Sequence, residues 1–182
     1  MLVTGPARSG KSEWAEQLAR DSHQSVRYVA TAQADADDPE WQAKIARHIQ
    51  RRPADWQTLA VPLELAAPFA DQDADCCWLV DSLGTWTANG LALSAVEWDA
   101  RVTEFLAAIA LGRGTVILVA EETGWGVVPA YPLGRQFRDR LGHLTRRVGA
   151  IATAVYLVTG GYAIDLVQLG QPLPQGAVED LS

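Results

Sequence analysis

Along the chain, short apolar runs alternate with longer stretches whose apolar residues recur every three or four positions. The runs are Leu2-Val3-Thr4, Ser25 to Ala30, Trp56 to Val61, Cys77 to Asp81, Thr115 to Ala120 and Ala154 to Val158. Near-continuous apolar sequence in pieces this short marks strands covered on both faces, as in a parallel sheet. The stretches between them predict helices. One leaves residue 12 and buries Trp14, Leu18 and Ala15; another runs to about Arg51 with Trp41, Ile45 and Ile49 on one stripe. A short amphipathic helix is expected from Leu63 to Ala70, and two long ones from Leu91 to Leu111 and from Leu133 to Ala150. Asp35, Asp37, Asp38 and Glu40 suit the positive end of the second helix, and Pro53 stops it. Ala163 to Leu169 reads as an edge strand. This alternation predicts an α/β fold, a doubly wound and mostly parallel sheet with helices on both faces.

Bulk properties narrow the reading. A chain of 182 residues can bury one core of its own, so residues 1–182 are expected to form a single domain, with about 171–182 a loosely ordered tail. A formal charge of -7 argues against a nucleic-acid binder, whose affinity comes from clustered Lys and Arg. Cys76 and Cys77 are adjacent in an apolar run, which suggests buried thiols rather than a zinc site or disulfide framework. No apolar run approaches the ~20 residues that span a bilayer, and the first residues read as a core strand rather than a leader. The expected compartment is the cytoplasm.

The candidate chemistry begins at Gly5-Pro6-Ala7-Arg8-Ser9-Gly10-Lys11-Ser12, a phosphate loop with a strand before it and a helix after it. Gly5 and Gly10 accept backbone angles that let successive N–H groups turn inward around an anion. Lys11 adds a cation for the outer phosphates, Ser12 a hydroxyl for Mg²⁺, and the helix its positive end. Asp81, closing an apolar strand, is the expected second Mg²⁺ ligand; capping the following helix is the alternative. Glu121 and Glu122 end the strand Thr115 to Ala120, and either could take a proton from an attacking hydroxyl or simply face solvent. The loop Thr123 to Pro129 contains Gly124 and Gly126, suited to close approach of something large. Arg135, Arg138, Arg140, Arg146 and Arg147 suggest an exposed amphipathic face or, less directly, an anion site.

Lys44, His48, Arg51 and Arg52 fall on one face of their helix. A neutral imidazole is a nucleophile, and the neighbouring cations would gather a nucleoside triphosphate and offset charge at the phosphorus under attack. His23 and His143 lack such company and read as structural.

These pieces together resemble a known family, the bifunctional adenosylcobinamide kinase / adenosylcobinamide-phosphate guanylyltransferases of cobalamin biosynthesis, the CobU/CobP type. The likeness is carried by LVTGPARSGKS, YVATAQ, KIARHIQRRPADW, WLVDSLGTWTAN, and ETGWGVVP followed by RQFRDRLG, and runs from Leu2 to about Gly160. The resemblance implies a P-loop NTPase fold of the RecA-like kind, with ATP and GTP as substrates, adenosylcobinamide as acceptor, and a homotrimer. It implies nucleotide contacts at Gly5 to Ser12, at Thr31, Ala32 and Gln33, at Ile49, Gln50, Arg51 and Arg52, and at Asp81. It also implies that His48, just before the R-P-x-x-W stretch, becomes guanylylated. Three positions depart from the family pattern: Ala60 where an acidic residue is usual, Glu121 where Asn is common, and Thr145-Arg146 where Asn-Gln is common.

The expected catalytic set is therefore His48, Lys11 and Glu122, with Ser12 and Asp81 holding Mg²⁺. Two rivals stand beside the bifunctional enzyme: a monofunctional P-loop small-molecule kinase in which His48 is inert, and a RecA-like ATPase or nucleotide switch without a small-molecule acceptor.

Overall fold

The computed structural model describes residues 1–32, 52–70 and 74–174. A seven-stranded sheet runs through them: β1 (Leu2–Gly5), β2 (Ser25–Ala30), β3 (Gln57–Ala60), β4 (Cys76–Asp81), β5 (Thr115–Glu121), β6 (Val155–Thr159) and β7 (Tyr162–Asp165), in the spatial order β3-β2-β4-β5-β1-β6-β7. All neighbours are parallel except β6 and β7. The helices are α1 (Lys11–Asp21), α2 (Leu83–Asn89), α3 (Ala95–Leu111), α4 (Pro132–Ile151) and the single turn α5 (Leu166–Leu169). The mostly parallel sheet is the predicted one.

Two apolar clusters cover its faces. On one, Val3, Tyr28, Leu79 and Val119 pack with α1, whose small Ala15 and Ala19 are fully buried while Trp14 and Leu18 are half-buried at the margin. The small residues let the helix sit close to the strands. On the other face Trp78, Phe69, Phe105, Trp86 and Trp98 form an aromatic chain with ring centroids 4.8–5.8 Å apart.

Three predicted elements differ. Leu63 to Ala70 forms one 3₁₀ turn (Ala67–Phe69) rather than a helix, because Pro68 within it has no N–H to continue the hydrogen-bond ladder. The helix expected from Leu91 starts at Ala95, where Ser94 and Glu97 make a reciprocal capping box, and α2 precedes it as a separate element. Ala163 to Leu169 divides into strand β7 and helix α5 at Asp165, whose carboxylate accepts from the amides of Val167 and Gln168. The helix expected through Arg51, with Trp41, Ile45 and Ile49, lies outside the described residues.

Parallel pairing brings the C-terminal ends of β1, β4 and β5 together: Gly5 is opposite Glu121, and Asp81 opposite Val119. The ligand-binding edge of an open α/β sheet is this one.

Candidate active site

The phosphate loop turns between β1 and α1. At Gly5 an added Cβ would run into the Val158 carbonyl and lie 2.7 Å from Ser9 Oγ, so the backbone passes here only as glycine. Arg8 and Gly10 have positive φ, 59° and 93°, which is how the loop folds its amides inward. Lys11 is 9% exposed and its ammonium reaches back to the Pro6 carbonyl at 3.3 Å. Ser9 Oγ is buried and has no hydrogen-bond partner among the described residues. No side chain caps the start of α1, whose first N–H groups therefore face the loop. An unpartnered buried hydroxyl, uncapped amides and a nearly buried ammonium form a donor-only cradle, the chemistry of a polyphosphate site.

Glu121 and the expected base Glu122 are alike as strand-end carboxylates, and geometry separates them. The Glu122 N–H donates to the Gly5 carbonyl (2.9 Å), and its Oε1 accepts from the Thr4 hydroxyl (2.6 Å), so this carboxylate is fastened to the strand that feeds the phosphate loop. Glu121 turns the other way: its Oε2 accepts from the Gly84 amide at 3.0 Å, at the start of α2. A Cβ at Gly84 would collide with that carboxylate.

Asp81 ends β4, and its Oδ2 accepts from the Tyr28 hydroxyl at 2.6 Å. It does not cap α2. Ser82 does, accepting from the Thr85 amide at 3.2 Å. Burial, then the adjacent Asp81 charge, hold the Tyr28 phenol protonated far above its usual range, so it remains the donor in this pair. Asp81 and Ser12 together offer a carboxylate and a hydroxyl oxygen, a donor set that fits Mg²⁺, which takes few protein ligands and completes its shell with water and substrate phosphate.

Thr31 is fully buried and serves the protein itself. Its hydroxyl donates to the Ser82 carbonyl (2.8 Å) and accepts from the Ser82 amide (3.0 Å), while its carbonyl accepts from the Asn89 side-chain amide (2.8 Å). In this arrangement it braces the bend after Asp81. Ala32 follows at the same end of β2. Arg52 lies with its guanidinium 3.3 Å from the centre of the Tyr28 ring and donates to Thr58 on β3 (3.4 Å). Gln33, Lys44, His48, Ile49, Gln50 and Arg51 lie outside the described residues.

The arginines of α4 are mostly committed. Arg140 is 8% exposed and donates to the Gly90 (2.9 Å) and Leu93 (2.8 Å) carbonyls; Arg147 pairs with Asp99 at 2.6 Å; Arg138 pairs with Asp139. Arg135 holds the preceding loop through the Pro129 and Ala130 carbonyls. In that loop Trp125, Val127, Val128 and Tyr131 are exposed, and nothing packs where Gly124 or Gly126 would carry a Cβ. A groove of about 440 Å³ between Glu64–Ala70 and the C-terminal half of α3 lies toward the other end of the sheet. Sequence reasoning missed Thr4, Tyr28 and Gly84. Thr4 alone carried a signal, as the one polar residue in the run leading into the loop.

A family described as cobinamide kinase / cobinamide phosphate guanyltransferase matches residues 1–166. A bifunctional adenosylcobalamin biosynthesis protein CobP of Pseudomonas aeruginosa is 40% identical over 174 residues, covering 94% of this chain and 98% of its own. A bifunctional adenosylcobalamin biosynthesis protein CobU of Escherichia coli is 35% identical over 181 residues, covering 91% and 98%. Among solved structures, the RadB recombinase superposes with a TM-score of 0.44 at 15% identity, over 86% of this chain and 73% of that one.

Proposed function

The chain belongs to the cobinamide kinase / cobinamide phosphate guanyltransferase family, and from that premise we propose how its residues divide two phosphorus chemistries between them. It is an enzyme of cobalamin nucleotide-loop assembly, a kinase and a guanylyltransferase with nucleotide substrates.

In the kinase step the loop from Gly5 to Ser12 grips the triphosphate and Lys11 neutralises its outer oxygens. Ser12 and Asp81 would hold Mg²⁺, which when bound draws charge from the phosphates being separated. Glu122 accepts the proton of the adenosylcobinamide hydroxyl as that oxygen bonds to the γ-phosphorus and the nucleoside diphosphate leaves. In the transferase step a His48 nitrogen bonds to the α-phosphorus of GTP and pyrophosphate leaves. A phosphate oxygen of the cobinamide phosphate then takes the GMP, giving adenosylcobinamide-GDP and freeing the imidazole. Arg51 and Arg52, with Ile49 and Gln50, line the GTP. One domain in the cytoplasm, acting as a homo-oligomer, completes the reading.

The observation that carries it is the fastening of Glu122 to Thr4 and to Gly5, which sets a carboxylate beside a donor-only phosphate cradle. The test is incubation with α-labelled GTP and Mg²⁺, and separately with γ-labelled nucleotide and adenosylcobinamide. Acid-labile, base-stable label on the wild type that is lost in His48→Ala, with label reaching the cobinamide in the second assay, is the expected pair. Cobinamide labelling without protein labelling would leave a monofunctional kinase. Hydrolysis stimulated by DNA, with neither, would leave a RecA-like ATPase.

A further inference from the structure

Tyr28 has no place in the two reactions as described above, yet it touches both. It is 2% exposed on β2, in the cluster that packs α1 against the sheet. Its hydroxyl donates to Asp81 Oδ2 at 2.6 Å, two residues further along the neighbouring strand than its own Cα partner Leu79. Its ring lies 3.3 Å from the guanidinium carbon of Arg52. That guanidinium also donates to Thr58, the Cα partner of Tyr28 on β3. Arg52 Nε is buried without a hydrogen-bond partner among the described residues. Among the described residues, the contacts that set its position are the ring and a single hydroxyl. One rigid side chain thus fixes a carboxylate of the phosphate-loop site at one end and a cation four residues after His48 at the other.

Resting on the proposed assignment of Asp81 to the kinase step and of the His48 segment to the transferase step, we propose that Tyr28 is a positioning residue whose two ends serve the two reactions separately. The hydroxyl orients Asp81, and the ring seats Arg52. A hydrogen bond to one carboxylate oxygen fixes the rotation of the group and so which oxygen faces the phosphate loop. Stacking on an aromatic face restricts a flexible arginine to one plane without neutralising it, which leaves its charge for a triphosphate. The two contacts use different atoms, so they can be removed one at a time.

Tyr28→Phe deletes the hydroxyl and keeps the ring; Tyr28→Met deletes both at similar volume; Arg52→Met deletes the cation and keeps the phenol. Three readouts are needed: kinase kcat and KM, the Mg²⁺-dependent gain in affinity for a fluorescent nucleotide, and the rate of covalent labelling by α-labelled GTP. In Tyr28→Phe, kcat is expected to fall at least tenfold and the Mg²⁺-dependent gain in affinity to shrink several-fold, with labelling within twofold of wild type. In Tyr28→Met, labelling is expected to fall at least tenfold as well, so that phenylalanine rescues what methionine loses. In Arg52→Met, labelling falls and the Mg²⁺-dependent gain stays. The proposal is overturned if Tyr28→Phe behaves as wild type in the Mg²⁺ measurement, or if Tyr28→Met labels as fast as Tyr28→Phe. Should Tyr28→Met not fold, Arg52→Met still decides the ring half: unchanged labelling sinks it. A wild type that never takes up label overturns the transferase reading itself, and the ring half with it, whereas a labelling wild type with indifferent variants overturns the positioning role alone.

Discussion

The Thr4 hydroxyl and the Glu122 carboxylate meet at 2.6 Å although 118 positions separate them in sequence. The contact exists because β1 and β5 are parallel neighbours, with Thr4 opposite Ala120. Thr4 is buried, so the bond is shielded from water and a nearly isosteric Thr4→Val change leaves the carboxylate without its fixed donor. We expect Thr4→Val to lower kcat for phosphoryl transfer about tenfold with little change in nucleotide KM, since a misplaced base costs rate rather than binding. Glu122→Gln should lose on the order of a hundredfold or more within the range usual for proton-transfer groups. Steady-state kinetics with nucleotide and cobinamide varied in turn would check both, and full activity in Glu122→Gln would remove this residue from the mechanism.

How much of this was legible in sequence follows from distance along the chain. The phosphate loop is written locally, in the spacing of Gly5, Gly10, Lys11 and Ser12, and so is the sheet, since buried strands are continuous apolar runs. Helix α2 entered the sequence reading only as a helix for Asp81 to cap, without bounds, because Leu83–Asn89 is short and holds Gly84, Thr85 and Thr87, weak helix formers. Asp81 was the candidate to cap it, and backbone geometry gives that role to Ser82 instead. Glu121 and Glu122 are adjacent and chemically alike; Gly84 and Thr4, neither near them in sequence, assign each to a different neighbour. Tyr28 and Asp81, 53 positions apart, meet only through the β2–β4 pairing.

At Gly5 the obstruction is backbone, because an added Cβ runs into the Val158 carbonyl of β6. Backbone atoms cannot step aside as a flexible side chain can. Gly5→Ala should therefore push β1 from β6 and distort the loop, costing about 2 kcal/mol or more of stability together with most triphosphate affinity. Gly10→Ala, with a left-handed φ of 93° but only ordinary 4.0 Å contacts to Glu13 and Val158 side chains, should cost less, roughly 1 kcal/mol. Thermal melts with and without nucleotide would rank the two, and the reverse order would contradict the loop geometry.

Burial pushes the Cys77 thiol up from its ordinary value of 9.0, and Cys76 is buried beside it. The thiolate is the reactive form, so an alkylating reagent at pH 8 should leave both cysteines intact in the native protein and modify them rapidly in denaturant. The sign of the stability effect follows. Above pH 9 the unfolded chain releases this proton while the folded chain keeps it, and Tyr28, raised from 10.0, repeats the pattern one unit higher. The unfolded state then binds fewer protons, and stability falls as pH rises through that window. Burial holds the Met1 amine below its ordinary 8.0, which adds stability as pH rises toward 8, so the comparison runs from about pH 8.5 to about pH 10.5; urea midpoints should decline across it, and a rise there would overturn it.

Arg140 looks from its sequence like one more cation on an exposed helix, but its guanidinium is spent on two carbonyls, Gly90 and Leu93, in the turn between α2 and α3. The Gly90 carbonyl also accepts from the Leu93 amide at 3.0 Å, so among the described residues it is the Leu93 carbonyl that depends on the arginine. Its stem also lies against the Trp98 ring, with the guanidinium carbon 5.6 Å from the centre. Arg140→Met keeps the stem and removes the donors, leaving the Leu93 carbonyl without its donor and the Gly90 carbonyl with the Leu93 amide alone; the expected loss is about 1–3 kcal/mol. Arg146→Met, on the exposed face of the same helix, should change stability by less than about 0.5 kcal/mol. Both variants should turn over at the wild-type rate per folded molecule at low temperature. A loss of kcat in Arg140→Met at a temperature where it is fully folded would instead place this arginine on an anion, as the charge pattern of the helix first suggested.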